Sequence, residues 1–371
     1  MRGFKGYALV LSRVNRNRSG PGEKGLSGVA NASLGFYTVW VAHLGRRYGI
    51  FAVLSRRKRP LGTRGIARAC GLHEPAVQVW CEAARALGLV HRVGDGYRLS
   101  AGFTHSLTDT DDVRYLGGQF SYLALRSLDF EAFDALFREG RVTAAGSRHL
   151  REASEEATRW DHTSFLKFLL PRVPGLASRL REGARALDVG CGTGGWVLRM
   201  ARAFPKSSFM GVDPDRTAIR IATRKKNGGG GRVRFRVGSG AGPMGEAGPF
   251  DLAYLGEVLY GVTDKLGLLR NVRRSLARDG VVILAEGITS PAGNDTSPAA
   301  QLVAAMGLDF ALQGARFFER SELEALLWEA GFQRVSFHDA GGGLWFVVAT
   351  PDAKKGGSER GGAARRARGD R

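Results

Sequence analysis

Residues 186–198, ALDVGCGTGGWVL, decide how the rest of the chain is read. Apolar residues run into glycines and small residues and then turn apolar again, as a strand does when it enters a helix through a turn stripped of side chains. Gly190, Gly192 and Gly195 satisfy the spacing G-x-G-x-x-G of dinucleotide-binding turns, while Gly190, Gly192 and Gly194 equally satisfy G-x-G-x-G. Two carboxylates separate these readings. Asp188 stands inside the strand, two residues before the first glycine. There it would repel a pyrophosphate and suit an ammonium group. Asp213 closes the next apolar run, 23 residues after Gly190, where an acidic side chain accepts hydrogen bonds from ribose hydroxyls.

The pattern therefore asks for a nucleoside with a cationic, phosphate-free extension, a description that S-adenosylmethionine fits. Around the turn, residues 183–350 alternate strand and helix patterns: ARALDVG, SSFMGVD, RVRFRVG, FDLAYLG and GVVILAEG are strands with helical segments between them. This predicts a parallel sheet covered on both faces. The helix RSELEALLWEAGF is expected to be capped by Ser321 and to stop at Gly331. RVSFHDAGGGLWFVVAT reads as an antiparallel hairpin at the sheet edge, and NGGGG (227–231) as a flexible surface connection.

The segments LDVGCGTGG, GVDPD, FDLAYLGEVLYGV, LLRNVRRSLARDGVVILAEG and RFFERSELEALLWEAGFQRV resemble, in order, the motifs of class I S-adenosylmethionine-dependent methyltransferases. The likeness covers 183–350. It implies an α/β fold, a Rossmann-like seven-stranded methyltransferase sheet, with S-adenosylmethionine as cofactor. By that likeness Gly190, Gly192 and Gly194 approach the cofactor backbone-first, Asp188 sits near its methionine end, and Asp213 takes the ribose. Ser239 stands where the family often has an acidic residue for the adenine amine, and Glu257 lines the site at the end of strand four. The histidine base of plant O-methyltransferases falls on Tyr260, which with an ordinary pKa of about 10 is a poor base at neutral pH. No Asp/Asn-Pro-Pro-aromatic motif follows strand four, which argues against methylation of exocyclic base amines.

Ahead of this region, 28–105 reads as helices followed by a hairpin around Asp95-Gly96 in VHRVGDGYRLS, which together make a mostly helical winged-helix domain. Its second helix, EPAVQVWCEAARALGL, carries alanines, valines and a tryptophan rather than the Arg, Lys and Asn of a base-reading helix. Specific nucleic-acid binding is not expected. In the resembled family this domain makes a homodimer, which is the expectation here. Residues 106–182 read as a helical connector rich in aromatics that caps the pocket. Tyr122, Trp160 and His162 are its substrate-binding candidates, and His162 and Tyr260 the catalytic ones.

The chain has 371 residues and a formal net charge of +20, of which +5 falls in 1–24 and +4 in 351–371. The ends, 1–27 and 351–371, read as basic disordered extensions. Three isolated cysteines, Cys70, Cys81 and Cys191, make neither a disulfide framework nor a zinc site, and no metal is expected. No apolar run has the length and freedom from charge of a membrane span, so a cytoplasmic protein is expected. The function expected is methyl transfer to O, N or C of a small hydrophobic or aromatic acceptor. The alternatives are an RNA or protein methyltransferase, favoured by the basic ends, and a winged-helix DNA-binding regulator that senses S-adenosylmethionine.

Overall fold

Strands buried on both faces need apolar side chains at every position, and the central strands of this sheet have them. The computed structural model describes residues 21–142, 147–226, 230–240, 249–289 and 297–351. Helix α1 (Pro21–Arg47) starts seven residues before the expected domain edge at 28. Residues 1–20, 227–229 and 352–371, which hold most of the basic ends and part of NGGGG, lie outside the described residues. After α1 come α2 (Ile50–Arg56), α3 (Thr63–Cys70) and α4 (Glu74–Ala86), then the antiparallel strands β1 (Val90–Val93) and β2 (Gly96–Leu99). Val93 pairs with Gly96, so the hairpin turn is Gly94-Asp95, one residue earlier than expected. Gly94, at φ 57, supplies the positive dihedral that the turn requires. This region has its own core of Ile50, Phe51, Ile66, Trp80 and Leu89, with the Trp80 indole donating to the Val41 carbonyl at 2.9 Å.

The connector consists of α5 (Thr104–Thr108), α6 (Gly117–Arg126), α7 (Phe133–Glu139), α8 (Arg148–Ser164) and α9 (Leu176–Glu182). Ser147 caps α8, accepting from Leu150 N at 2.8 Å. A π-helical turn, Phe165–Leu169, prolongs α8. It drives Phe165, fully buried, edge-on against Trp196, Tyr254 and Phe346. That contact fixes the rotation of α8 over the sheet.

The sheet is formed by β3 (Arg185–Val189), β4 (Ser208–Asp213), β5 (Val233–Val237), β6 (Phe250–Gly256), β7 (Leu276–Thr289), β8 (Phe318–Glu319), β9 (Phe332–Gly341) and β10 (Leu344–Pro351). Between them lie α10 (Gly195–Ala203), α11 (Arg216–Lys225), α12 (Lys265–Ser275), α13 (Pro298–Leu312) and α14 (Arg320–Glu329). Seven strands run in the order β5-β4-β3-β6-β7-β10-β9, and the two-residue β8 adds an eighth beside the end of β7. All neighbours are parallel except β10, which runs antiparallel to both β7 and β9. The expectation of seven strands missed only β8, which is too short to carry a pattern. Helix α14 begins at Arg320 with Glu319, not Ser321, at the cap position, because the chain leaves β8 directly into the helix. Two apolar clusters cover the faces, one around Trp196, Tyr254 and Phe346 and the other around Leu255, Leu284 and Phe332.

Candidate active site

Parallel strands end together, so β3, β4 and β6 deliver Asp188, Asp213 and Glu257 to the same edge of the sheet. A cleft of about 770 Å³ opens there, lined by Asp188, Gly190, Gly192, Asp213, Glu257 and Tyr260 among others. Gly190 has φ 75, and a Cβ on it would fall 2.3 Å from the Val258 side chain, so no other residue fits the turn. Gly194 corrects the expectation. It caps α10 at φ 81, packed against Phe235 and Ala222, and does not line the cleft; Gly195 does. Ser239 is exposed and is not among the residues lining the cleft, although its neighbour Gly238 donates to Asp213 O at 3.0 Å.

Both oxygens of Asp213 accept backbone amides, Gly192 N at 2.8 Å and Asp215 N at 2.8 Å. A carboxylate has about four lone-pair positions, so two stay available to hydroxyls. Asp188 is 3% exposed, and burial followed by the charge of Asp213 pushes its carboxyl well above the usual range. An ammonium group entering here would restore the charged form. Across the cleft, the charged lining groups are five acids (Glu155, Asp188, Asp213, Asp215 and Glu257) against Arg151 and Arg216. A pyrophosphate would meet repulsion, whereas a sulfonium nucleoside fits.

Next to the cleft lies a smaller pocket of about 160 Å³, lined by Tyr122, Trp160, Asp161, Met306, Phe310 and Phe317 among others. Glu257 and Tyr260 line both cavities. Helix α8 forms the wall between them. Its stripe Leu150, Ser154, Ala157, Asp161 lines the small pocket, with Leu150 and Ser154 reaching the cleft as well, and the adjoining stripe Arg151, Glu155, Thr158, His162 lines the cleft alone. Each follows the i, i+4, i+7, i+11 spacing of one helical face. His162 therefore faces the cleft and not the small pocket. Its Cε1 stands 3.0 Å from where a Cβ on Gly195 would be. Burial, then Arg199 and Arg159, lowers its pKa to about 3, far too low for a base at neutral pH. Tyr260 is no better placed, because burial and the charge of Glu257 raise its phenol well above 10.

Asp161, which the sequence reading passed over for its neighbour, is the polar group that the small pocket receives from α8. Glu257 is the only non-glycine residue at positive φ, 53, among the described residues. Burial raises its carboxyl to about 7. A residue held in this region costs roughly 1–3 kcal/mol, and such strain concentrates at functional sites. The turn is held by Glu286, whose Oε1 accepts from Leu259 N at 3.0 Å and Val258 N at 3.3 Å, while Glu257 N donates to Ala285 O at 2.7 Å. Tyr122 and Arg126 on α6 both bond Asp309 on α13, closing the far side of the pocket. Arg151 reaches Asp215 at 2.9 Å and straps α8 to the cleft rim. Elsewhere on the surface His105, Asp109 and Asp112 approach one another, outside both cavities.

Glu286 is fully buried, and burial lifts its carboxyl from 4.5 to about 8. The native state thus keeps a proton that the unfolded chain has already lost, so stability falls as pH rises through the interval up to 8. One such group contributes a slope of about 1.4 kcal/mol per pH unit. The ligand-free protein is expected to melt several degrees lower at pH 8 than at pH 6.5, measured by scanning calorimetry. Glu286→Gln is expected to flatten that dependence; an unchanged slope places the titration elsewhere.

A doubly wound sheet with an acidic, glycine-lined cleft at its carboxyl edge is a nucleoside-binding architecture, and the comparisons agree. The methyltransferase-domain family matches residues 159–336. The chain is 30% identical to the demethylmenaquinone methyltransferase of Bacillus pumilus over 193 residues, 47% of this chain and 81% of that protein. It is 32% identical to the Bacillus subtilis demethylmenaquinone methyltransferase over 109 residues, 29% of this chain. With 47% of that protein matched, the chain spans about half the length of the first curated relatives. The human N-acetylserotonin methyltransferase in complex with S-adenosylmethionine superposes with a TM-score of 0.66 at 19% identity, covering 90% of this chain and 99% of that one. This chain belongs to the class I S-adenosylmethionine-dependent methyltransferases, with a helical N-terminal region ahead of the sheet.

Proposed function

We propose that the protein transfers the methyl group of S-adenosylmethionine to a small, apolar or aromatic acceptor seated in the 160 Å³ pocket. The observation that carries this reading is the meeting of an acidic nucleoside cleft with a smaller, largely apolar pocket at four shared residues, Leu150, Ser154, Glu257 and Tyr260. Asp213 holds the ribose, Asp188 faces the amino-acid end, and Gly190 and Gly192 offer backbone. The sulfonium supplies an already activated methyl group. The chain's own part is to align the acceptor with it and keep water out, which is where proximity effects act. Trp160, tied by its indole N–H to Val113 O at 2.7 Å, and Tyr122, tied to Asp309, set the pocket's walls.

Calorimetry tests the reading: S-adenosylmethionine and S-adenosylhomocysteine are expected to bind at micromolar concentration or below, and NAD not at all. Tight uptake of NAD with no response to the other two would overturn it.

The second half of the proposal concerns the helical N-terminal region, read as a dimer-forming winged helix in a cytoplasmic enzyme. Helix α1 exposes Leu34, Phe36 and Tyr37, each at least half exposed, apolar surface suited to a second copy. Among the described residues no helix is long and apolar enough to cross a membrane. Helix α4 exposes Val79 and Gln78, and its Arg85 is paired with Glu82 at 3.1 Å, a poor surface for reading bases. Phe36→Glu together with Tyr37→Glu is expected to convert a dimer to a monomer in light scattering, and an unaltered mass places the interface elsewhere.

A further inference from the structure

Asp161 is 5% exposed and lines the small pocket, yet its carboxyl takes a hydrogen bond only from its own backbone amide among the described residues. A buried acid whose one hydrogen-bond partner is its own backbone leaves carboxyl capacity that a ligand in the cavity can complete. Glu257 lines the same cavity from the end of β6, held there in a strained conformation. The other walls include the apolar Trp160, Met306, Phe310 and Phe317 and the uncharged polar Gln119 and Gln313, so Asp161 and Glu257 are the pocket's only carboxyls, and the volume is about 160 Å³. A cavity of about 150 Å³ holds one benzene. Resting on the methyl-transfer reading above, we propose that Asp161 and Glu257 form a carboxyl pair that selects a one-ring aromatic acceptor bearing an O–H or N–H group, with Glu257 receiving its proton.

In the step, a lone pair of the acceptor heteroatom forms the new bond to the methyl carbon, and the carbon–sulfur pair returns to sulfur as a neutral thioether. The heteroatom's proton goes to the Glu257 carboxylate, so one positive and one negative charge disappear together. Asp161, kept protonated by burial and by the charge of Glu257, hydrogen-bonds the heteroatom and orients it. The groups facing this pair are Tyr122 on α6, Tyr254 on β6, Tyr260 beyond it and Glu286 on β7. Burial pushes all three phenols up, leaving them neutral at pH 7. Asp309 on α13 is engaged by Tyr122 and Arg126. Glu257, with its carboxyl raised to about 7, is then the pair's titrating member near neutrality.

The test titrates phenol, anisole and 1-naphthol into the full chain saturated with S-adenosylhomocysteine at pH 8. Phenol is expected to bind at least tenfold tighter than anisole, which offers Glu257 no proton, and at least tenfold tighter than 1-naphthol, which overfills the pocket. Asp161→Leu is expected to weaken phenol about tenfold and Asp161→Asn less than threefold, both with S-adenosylhomocysteine affinity intact, because Asp161 lies off the cofactor stripe of α8. With S-adenosylmethionine, the rate of phenol methylation should climb tenfold per pH unit toward a plateau near 7, and Glu257→Gln should abolish that limb. Anisole binding as well as phenol, naphthol binding better, or equal effects of the two Asp161 changes overturns the carboxyl pair. If the wild type binds S-adenosylhomocysteine but not phenol, the pair alone fails. If it does not bind S-adenosylhomocysteine, the methyl-transfer reading fails and the pair with it.

Discussion

Asp213→Ala is expected to weaken S-adenosylhomocysteine binding by at least about 100-fold. Two hydrogen bonds from ribose hydroxyls to a charged acceptor contribute about 1.5–3 kcal/mol each, and 2.7 kcal/mol is about 100-fold in affinity. The substitution also frees Gly192 N and Asp215 N, which the same carboxylate holds at 2.8 Å, so the glycine turn loses its brace to the end of β4. Asp213→Asn keeps one carbonyl oxygen and should lose about tenfold by the same reckoning. Titration calorimetry separates the two, with circular dichroism to show that both variants are folded. If the alanine variant binds within threefold of the wild type, the ribose does not lie at Asp213.

Arg126→Met is expected to cost about 3–5 kcal/mol of folding stability, the usual penalty when one partner of a buried ion pair is removed. The Arg126 side chain is 4% exposed and bonds Asp309, itself 7% exposed, and Asp129 at 2.5 Å. Without it Asp309 faces only the Tyr122 hydroxyl, and Asp129 keeps Ser147 at 2.7 Å and His149 at 2.8 Å. The pairing joins α6 to α13 around the acceptor pocket, so the loss should also lower acceptor affinity. Pairing the change with Asp309→Leu should recover most of the stability, since an apolar pair can replace a buried ionic one. Urea denaturation of the two variants measures this. Equal destabilisation by both would mean that packing, not the stranded carboxylate, carries the cost.

The gathering of Asp188, Gly190, Gly192 and Asp213 at one cleft was legible because it is local. One strand, one turn and the next strand's last residue place Asp188, Gly190, Gly192 and Asp213 within 26 consecutive positions, and backbone geometry leaves such a segment few ways to fold. Where the reading slipped, a small rotation decided. Gly194 and Gly195 exchange roles because α10 begins between them, and Ser239 has its side chain exposed. The hairpin turn moved by one residue because Gly94, rather than Gly96, sits where positive φ is needed.

The small pocket was not legible, because it gathers side chains from Leu116 to Leu344 on several elements far apart in sequence, α6, α8 and α13 among them. Sequence alone determined that this chain would build a nucleoside cleft from alternating strands and helices, since periodicity and a stripped turn are properties of neighbouring residues. Only the folded molecule decided that Asp161, and not His162, would line the smaller pocket. Successive residues on a helix point about 100° apart, and the rotation of α8 is set by Phe165 docking against Trp196, Tyr254 and Phe346, partners up to 181 residues away.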